Sequence, residues 1–270
     1  MEIKLVAVDI DETSVNKKHK MTKRTEEALK AAIEKGVCVV PVTGRNLEGL
    51  PAPYRKMRLL YVIASNGAKI YDIGRGKVLS RKLIPNDVAC QVLQYCQKEK
   101  VMLAIQTEGK CYDESVPLMG YRFFFYHGDF KPHKRVGDLH AWLKTFGKPI
   151  EKIQVFSFDQ ERLKKIKQAL SVFPMLELAL STSGYIEITH KKAQKGFALE
   201  HLCEYLGIPL EQVMAIGDNT NDISMLSKAG IAVAMGNAKE EVKQIADFIT
   251  TSNDEDGVAH AIETYILDEG

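Results

Sequence analysis

Residues 3–13 read Ile3-Lys4-Leu5-Val6-Ala7-Val8-Asp9-Ile10-Asp11-Glu12-Thr13, and the fold turns on how that stretch is taken. Ile3 to Val8 is a β-rich run too uniformly apolar for a half-exposed strand, as expected of a strand buried on both faces of a parallel sheet. From Thr22 onward Ala28, Leu29, Ala32 and Ile33 fall on one helical face, and Gly36 stands where a helix C-cap belongs. Val37 to Val42 is a second apolar strand. Strand, helix and strand make one βαβ unit, with a right-handed crossover as the default.

The same rhythm closes the chain. Lys195 to Leu206 has a helical pattern stopped by Gly207, and Val213 to Ile216 is a short buried strand. Asn221 to Lys228 is expected to be helical, Ile231 to Ala234 a strand, and Lys239 to Ala246 and Gly257 to Leu267 helices. Between the two ends, Leu60 to Ser65 is a strand running into the turn signal Asn66-Gly67, with hairpin strands Lys69 to Asp72 and Lys77 to Arg81 beyond it. From Pro85 to Ser183 the pattern is less buried and richer in aromatics, notably Tyr121 to Tyr126 and Trp142. The resulting expectation is an α/β protein. Residues 1–83 and 184–270 build a doubly wound, Rossmann-like parallel-sheet core, and 84–183 form an inserted α+β domain.

Composition narrows the class. With 27% charged and 45% hydrophobic residues among 270, the chain is neither disordered nor fibrous. A net charge of +2, from 37 basic against 35 acidic residues, is too balanced for a polyanion binder. Residues 84–183 hold 14 Lys plus Arg against 11 acids, a small basic excess that suits an anionic ligand. Lys131-Pro132-His133-Lys134-Arg135 is a short basic cluster that reads as a solvated loop, so no nucleic-acid partner is expected. Apolar runs such as Ile231 to Met235 fall far short of a bilayer span, and Glu2 and Asp9 interrupt any signal peptide, so no membrane partner is expected either. The five cysteines are odd in number and form no Cys-x-x-Cys pair, as buried thiols of a reducing cytoplasm would.

The chemistry concentrates at strand ends. In open α/β sheets, ligands bind beyond the carboxyl ends of the strands, which is where Asp9 and Asp11 stand. Two carboxylates there repel each other and are costly to desolvate unless a cation compensates, and a hard divalent ion, Mg²⁺ above all, is the natural partner. On its own the stretch also reads as an acidic turn capping the next helix. Gly217-Asp218-Asn219-Thr220-Asn221-Asp222 again follows a buried strand. Its acids could be a helix cap, but a calcium loop fails because Ile223 replaces the required glycine and Ala229 the bidentate glutamate. Two acidic strand ends in one sheet favour a shared metal site over two coincidental caps.

Thr43-Gly44-Arg45 ends the second strand, and its hydroxyl and amides could donate to an anion. Lys195 opens a helix where the dipole disfavours a cation, so it reads either as a neutraliser of a carboxylate and a phosphate or as part of a solvated cluster with Lys191 and Lys192. Rival motifs are missing. There is no Gly-x-x-x-x-Gly-Lys-Ser/Thr loop, Gly74-x-Gly76 lacks a third glycine, no Gly-x-Ser-x-Gly elbow occurs, and the seven histidines show no zinc spacing. His127, His133 and His140 are expected at the surface or in caps.

Taken in order, these elements resemble the haloacid dehalogenase-like (HAD) hydrolase superfamily, and within it the Cof-type sugar-phosphate phosphatases with a large cap. The likeness rests on Asp9 to Thr13, Val42-Thr43-Gly44-Arg45, Ser65-Asn66-Gly67-Ala68, Lys195-Gly196-Phe197-Ala198-Leu199 and Gly217 to Leu226. Ala234-Met235-Gly236-Asn237-Ala238 and Asp256-Gly257-Val258-Ala259 extend it. The resemblance implies a Mg²⁺-dependent phosphatase acting on small phosphate monoesters through an aspartyl-phosphate. Asp9 would be the nucleophile, and Asp11 the general acid and then base. Thr43 and Lys195 would complete the catalytic set. Mg²⁺ would be held by Asp9, the Asp11 main-chain carbonyl and Asp218, with Asp222 behind them. The Ile10 amide, Thr43, Gly44, Lys195 and Asn221 would meet the phosphate oxygens. A phosphomutase on the same scaffold and a non-catalytic phosphate-ligand sensor are the competing readings. The inserted segment would be a lid that meets the leaving group, with Arg122 and the aromatic run as contacts. The chain departs from the family pattern at Glu12 and Ser14, where glycine and leucine are usual. Glutamate visits positive φ far less freely than glycine.

Overall fold

A computed structural model describes residues 2–114, 134–181 and 184–267. Tyr121 to Tyr126, Arg122, His127, and Lys131 to His133 of the basic cluster lie outside the described residues. The chain divides into two compact units, one of residues 1–45, 50–81 and 194–270, the other of 46–49 and 82–193.

The first unit is built on a five-stranded sheet in which every pairing is parallel. Its order is Phe248–Ile249, Ile231–Ala234, Val213–Gly217, Leu5–Val8, Cys38–Pro41. Leu5, Val6, Ala7 and Val8 have no exposed surface, which accounts for the unbroken apolar run. Helix Lys23–Glu34 crosses from the first strand to the second. Thr22 accepts from the Thr25 amide as its N-cap, and Ala28, Leu29 and Ala32 are buried. Gly36 follows in the left-handed conformation at φ 85°. Tyr61–Ala64 joins beside the second strand through a parallel bridge of Val42 with Ile63, and pairs antiparallel with Lys69–Asp72, which pairs with Lys77–Arg81. From Leu5–Val8 the chain crosses to one neighbour by residue 38 and reaches the other only at residue 213. The carboxyl ends of Leu5–Val8 and Val213–Gly217 therefore flank a topological switch point, where such sheets bind ligands.

Three expected helices are shorter or change pitch. Residues 221–228 become a tight turn, Thr220–Asp222, followed by helix Ile223–Leu226, because Asn219 and Asp222 cap one another reciprocally and tighten the first turn. Lys239–Ala246 contracts to Glu240–Lys243, and the last helix holds α geometry over Gly257–Ile262 before widening through Glu263–Leu267.

The second unit has a six-stranded sheet in the order Leu176–Ser181, Tyr185–His190, Lys152–Phe156, Met102–Thr107, Lys110–Asp113, Lys134–Arg135, antiparallel except for the last pair. Leu103, Ile105, Ile153, Val155, Ile186 and Ile188 alternate along three strands and share a core with Val92 and Leu93, Leu139 and Leu143, and Leu163 and Ile166. Those pairs come from helices Asn86–Lys98, Leu139–Phe146 and Gln160–Leu170. Tyr185–His190, assigned to the core by sequence, is hydrogen-bonded on both sides within this sheet and belongs to the second unit, which runs to Ala193.

Candidate active site

Asp9 leaves the first strand with its amide still donating to the Ile216 carbonyl at 3.0 Å, so its side chain is fixed at the switch point. Asp218 follows Gly217 at the end of the neighbouring strand. Both are buried, as is Asp222, and carboxylate oxygens of the three lie within 4.8 Å of one another. Lys195 reaches this cluster from the start of its helix. Its Nζ donates to Asp9 Oδ1 and Asp222 Oδ1, each at 2.6 Å. The sequence left Lys195 between a charge neutraliser and a solvated cluster; its side chain is 1% exposed and bridges two carboxylates, whereas Lys191 and Lys192 are at the surface.

The carboxylates play unequal parts. Asp222 has both oxygens engaged, Oδ1 by Lys195 and Oδ2 by the amides of Asp218 and Asn219 at 3.0 and 2.9 Å. It thereby fixes the Asp218 loop and holds Lys195 from behind. Thr13 Oγ1 donates to Asp218 Oδ1 at 2.6 Å. Asp9 Oδ2 and Asp218 Oδ2 accept from no donor among the described residues.

Burial favours a neutral Lys195, yet Asp222 and Asp9 outweigh it and hold the ammonium above the usual lysine range. Burial raises Asp9, with Asp222, Asp218 and Asp11 adding to the rise and Lys195 opposing it. Asp218 is pushed up to about 7, by burial first, against the Thr13 hydrogen bond and with Asp222 and Glu12 reinforcing. Three carboxylates against one ammonium leave surplus negative charge on hard oxygen donors. That donor set fits a divalent cation such as Mg²⁺, which Asp9 and Asp218 would hold.

Asp11 stands apart from this cluster. The chain passes from Asp9 into a wide turn, Ile10–Ser14, closed by the Val15 amide on the Ile10 carbonyl at 3.0 Å. The half-exposed Asp11 carboxylate pairs with Arg45, whose Nη2 donates at 2.6 Å to Oδ1 and whose Nε donates at 3.0 Å to Oδ2. Thr43 is fully buried, and its Oγ1 accepts from the Arg45 amide at 3.1 Å. A Cβ on Gly44 would lie 3.0 Å from Asn66 Oδ1, and that oxygen also accepts from Asn221 Nδ2 at 3.2 Å. Thr43, Gly44, Asn66 and Asn221 thus form a second polar group at the sheet's end. Gly217 is required by close approach, since a Cβ there would meet Asp222 Cγ at 2.6 Å.

In the sequence Thr13 and Arg45 stand within motifs and Asn66 within a turn signal, and none of the three is marked there as part of the site. An arginine just after a strand end, beside an acidic strand end in the same βαβ unit, was the available signal for Arg45.

A family model described as haloacid dehalogenase-like hydrolase matches residues 6–262. The chain belongs to the haloacid dehalogenase-like hydrolases. It is an enzyme of that family, and its similar relatives align with it almost end to end. Phosphatase YwpJ of Bacillus subtilis is 32% identical, covering 97% of this chain and 99% of its own. The 5-amino-6-(5-phospho-D-ribitylamino)uracil phosphatase YcsE of the same organism is 34% identical over 99% and 97%. Among solved structures, a haloacid dehalogenase-like hydrolase from Bacteroides thetaiotaomicron superposes with a TM-score of 0.87 at 28% identity, over 97% of this chain and 99% of that one. A sugar phosphatase of HAD subclass IIB superposes at 0.83 and 27% identity, over 98% and 100%.

Proposed function

We propose that this HAD hydrolase is a Mg²⁺-dependent phosphatase that cleaves small phosphate monoesters, sugar phosphates or similar metabolites, through an aspartyl-phosphate on Asp9. The observation that carries this reading is the state of Asp9. One oxygen is held by Lys195 and the other accepts from no described donor, at a switch point beside a second acidic strand end. A pinned carboxylate with one unengaged oxygen is a poised nucleophile. Phosphoryl transfer asks chiefly for positioning and charge neutralisation.

In the first step Asp9 Oδ2 forms a bond to phosphorus while the bond from phosphorus to the ester oxygen breaks, and that oxygen leaves with a proton from Asp11. In the second, Asp11 takes a proton from water as the water oxygen attacks the phosphoryl group, releasing inorganic phosphate and restoring Asp9. Lys195 neutralises charge on the carboxylate and on a phosphate oxygen. Thr43, the Gly44 and Ile10 amides and Asn221 orient the remaining oxygens. A bound Mg²⁺ supplies further charge neutralisation. Arg45 holds Asp11 against drifting into solvent between the two proton transfers.

The groups assigned above in the first unit serve phosphate and metal. Choice among esters is therefore assigned to the second unit acting as a lid, whose role is to exclude water and meet the leaving group. All five cysteines are free thiols, as a cytoplasmic site of action would have them, and no helix among the described residues is long and apolar enough to cross a membrane.

The test is phosphate release from a panel of phosphorylated sugars, nucleotides and cofactor precursors with Mg²⁺. Asp9→Asn should abolish turnover on every member while the protein stays folded. Substantial activity in folded Asp9→Asn would sink the nucleophile assignment.

A further inference from the structure

Glu12 has φ 57° and ψ 7°, so a glutamate sits in the left-handed region in the middle of the turn that carries Asp11. There the Cβ crowds the carbonyl oxygen, and such a conformation persists only where the surroundings over-determine it. Two asparagines from the far end of the chain do so. Asn237 Nδ2 donates to the Glu12 carbonyl at 2.8 Å. Asn237 Oδ1 accepts from the Asn253 amide at 2.9 Å, and Asn253 Nδ2 donates to the Val15 carbonyl at 2.9 Å. The pair thus grips the turn at residue 12 and again at residue 15.

The grip is itself anchored to the acidic strand end. The Met235 amide donates to the Gly217 carbonyl at 3.0 Å, and the Lys239 amide to the Asp218 carbonyl at 3.1 Å, so the Asn237 loop moves with Asp218. Gly236 lets it lie against the Asn253 segment, since a Cβ there would be 2.9 Å from the Ser252 nitrogen. Asp11 precedes the strained residue, and Thr13, which holds Asp218, follows it. Any relaxation of Glu12 to negative φ would swing both.

We propose that Asn237 and Asn253 are positioning residues that clamp the Asp9–Val15 turn with Glu12 left-handed, keeping Asp11 and Thr13 in register with Asp9 and Asp218. The proposal rests on the phosphatase reading for its kinetic arm only. It makes Glu12 and Asn237 interdependent, because glycine takes positive φ without steric cost and needs the clamp less than glutamate does.

The experiment compares wild type, Asn237→Ala, Asn237→Asp, Glu12→Gly and the double variant Glu12→Gly/Asn237→Ala. Asn237 is exposed, and Asn237→Asp keeps its size and its acceptor while losing the donor to Glu12. With p-nitrophenyl phosphate and Mg²⁺, both Asn237 variants should lose about 10–10²-fold in kcat with little change in KM, as for a small misplacement of reacting groups. The loss on removing Asn237 should shrink several-fold in the Glu12→Gly background. Hydrogen exchange of the Val15 amide, read in the same proteins without substrate, should quicken about tenfold in Asn237→Ala, the equivalent of one net hydrogen bond. Equal kinetic losses in both backgrounds would overturn the proposal. So would Val15 exchange at the wild-type rate in Asn237→Ala. If wild type hydrolyses no phosphate ester, the phosphatase reading fails, and the exchange measurement still decides the clamp.

Discussion

Replacing Gly196 with alanine should uncouple Lys195 from its carboxylates without altering any charged residue. Gly196 occupies the first turn of helix Lys195–Leu206, and its amide donates to Ser224 Oγ at 3.0 Å. A Cβ at this position would stand 1.9 Å from the Ser224 carbonyl oxygen, 2.4 Å from its carbon and 3.1 Å from the Met225 nitrogen. All three are backbone atoms, so no side chain can yield. Restoring ordinary contact at roughly 3.4 Å requires the two helices to part by about 1.5 Å at this point. Lys195 is the adjacent residue, and its two bonds are 2.6 Å long. A shift of that size, if not followed by the side chain, stretches them to about 4 Å, beyond hydrogen-bond range. Misplacement by an ångström costs about 10²-fold in rate, and overpacking costs about 1–3 kcal/mol, less up to about 1 kcal/mol regained from alanine's helix propensity. The assay pairs phosphate-ester turnover with urea unfolding. Gly207→Ala is the control. Gly207 ends the same helix at φ 66° with nothing within 4 Å of a Cβ, so that change should cost about 1 kcal/mol of stability and leave turnover intact. Wild-type turnover and stability in Gly196→Ala would refute the close-approach reasoning.

Asp11→Asn should lose about 10²–10⁴-fold, more with an alkyl phosphate than with p-nitrophenyl phosphate, whose leaving group needs no proton; equal losses would remove Asp11 from the acid role. Arg45→Ala should show the same leaving-group bias at smaller size, since the Arg45 guanidinium pairs with Asp11, and an unbiased loss would count against a role through that pairing. Turnover should vanish on chelation and return with Mg²⁺, and Mg²⁺ should raise the melting temperature of wild type but not of Asp218→Asn; full activity after exhaustive chelation contradicts the hard-cation reading. Tyr54→Phe should cost about 1 kcal/mol by removing the buried hydroxyl that donates to Ser14 at 2.9 Å, and an unfolding curve matching wild type would show that bond to be worth nothing.

How far the sequence could be read depended on whether a residue's role is set locally. Strands Leu5–Val8 and Val213–Gly217 are legible because burial on both faces of a parallel sheet demands a continuous apolar run. Asp9 and Asp218 are legible because each follows such a run at the end where ligands bind. The pair of Arg45 with Asp11 depends on how two neighbouring strands are registered, which periodicity does not report. Tyr185–His190 looks like the lead-in to Lys195 in sequence, yet its ladder partners lie in the second unit. The left-handed Glu12 runs against local preference altogether. Its support comes from Asn237, 225 residues away, and no window of sequence around Glu12 contains that information.

Two glycines tie these observations together. Gly196 and Gly217 are easily taken as helix and turn punctuation, but neither has positive φ. Each is glycine because another part of the chain passes through the space a side chain would fill: the Ser224 backbone at one, the Asp222 side chain at the other. The consequence is electrostatic. Asp222 can fold back over the strand end only across Gly217, and Lys195 can descend beside it only if its helix approaches Ser224 across Gly196. With both approaches made, Lys195 is held at two points and has no freedom to swing, so the ammonium occupies one oxygen of Asp9 and leaves the other unengaged. A lysine held by Asp9 alone could rotate to cover both oxygens. Asp222, with no unengaged oxygen of its own, thus decides which oxygen of Asp9 stays open, the one that would meet phosphorus in the proposed mechanism.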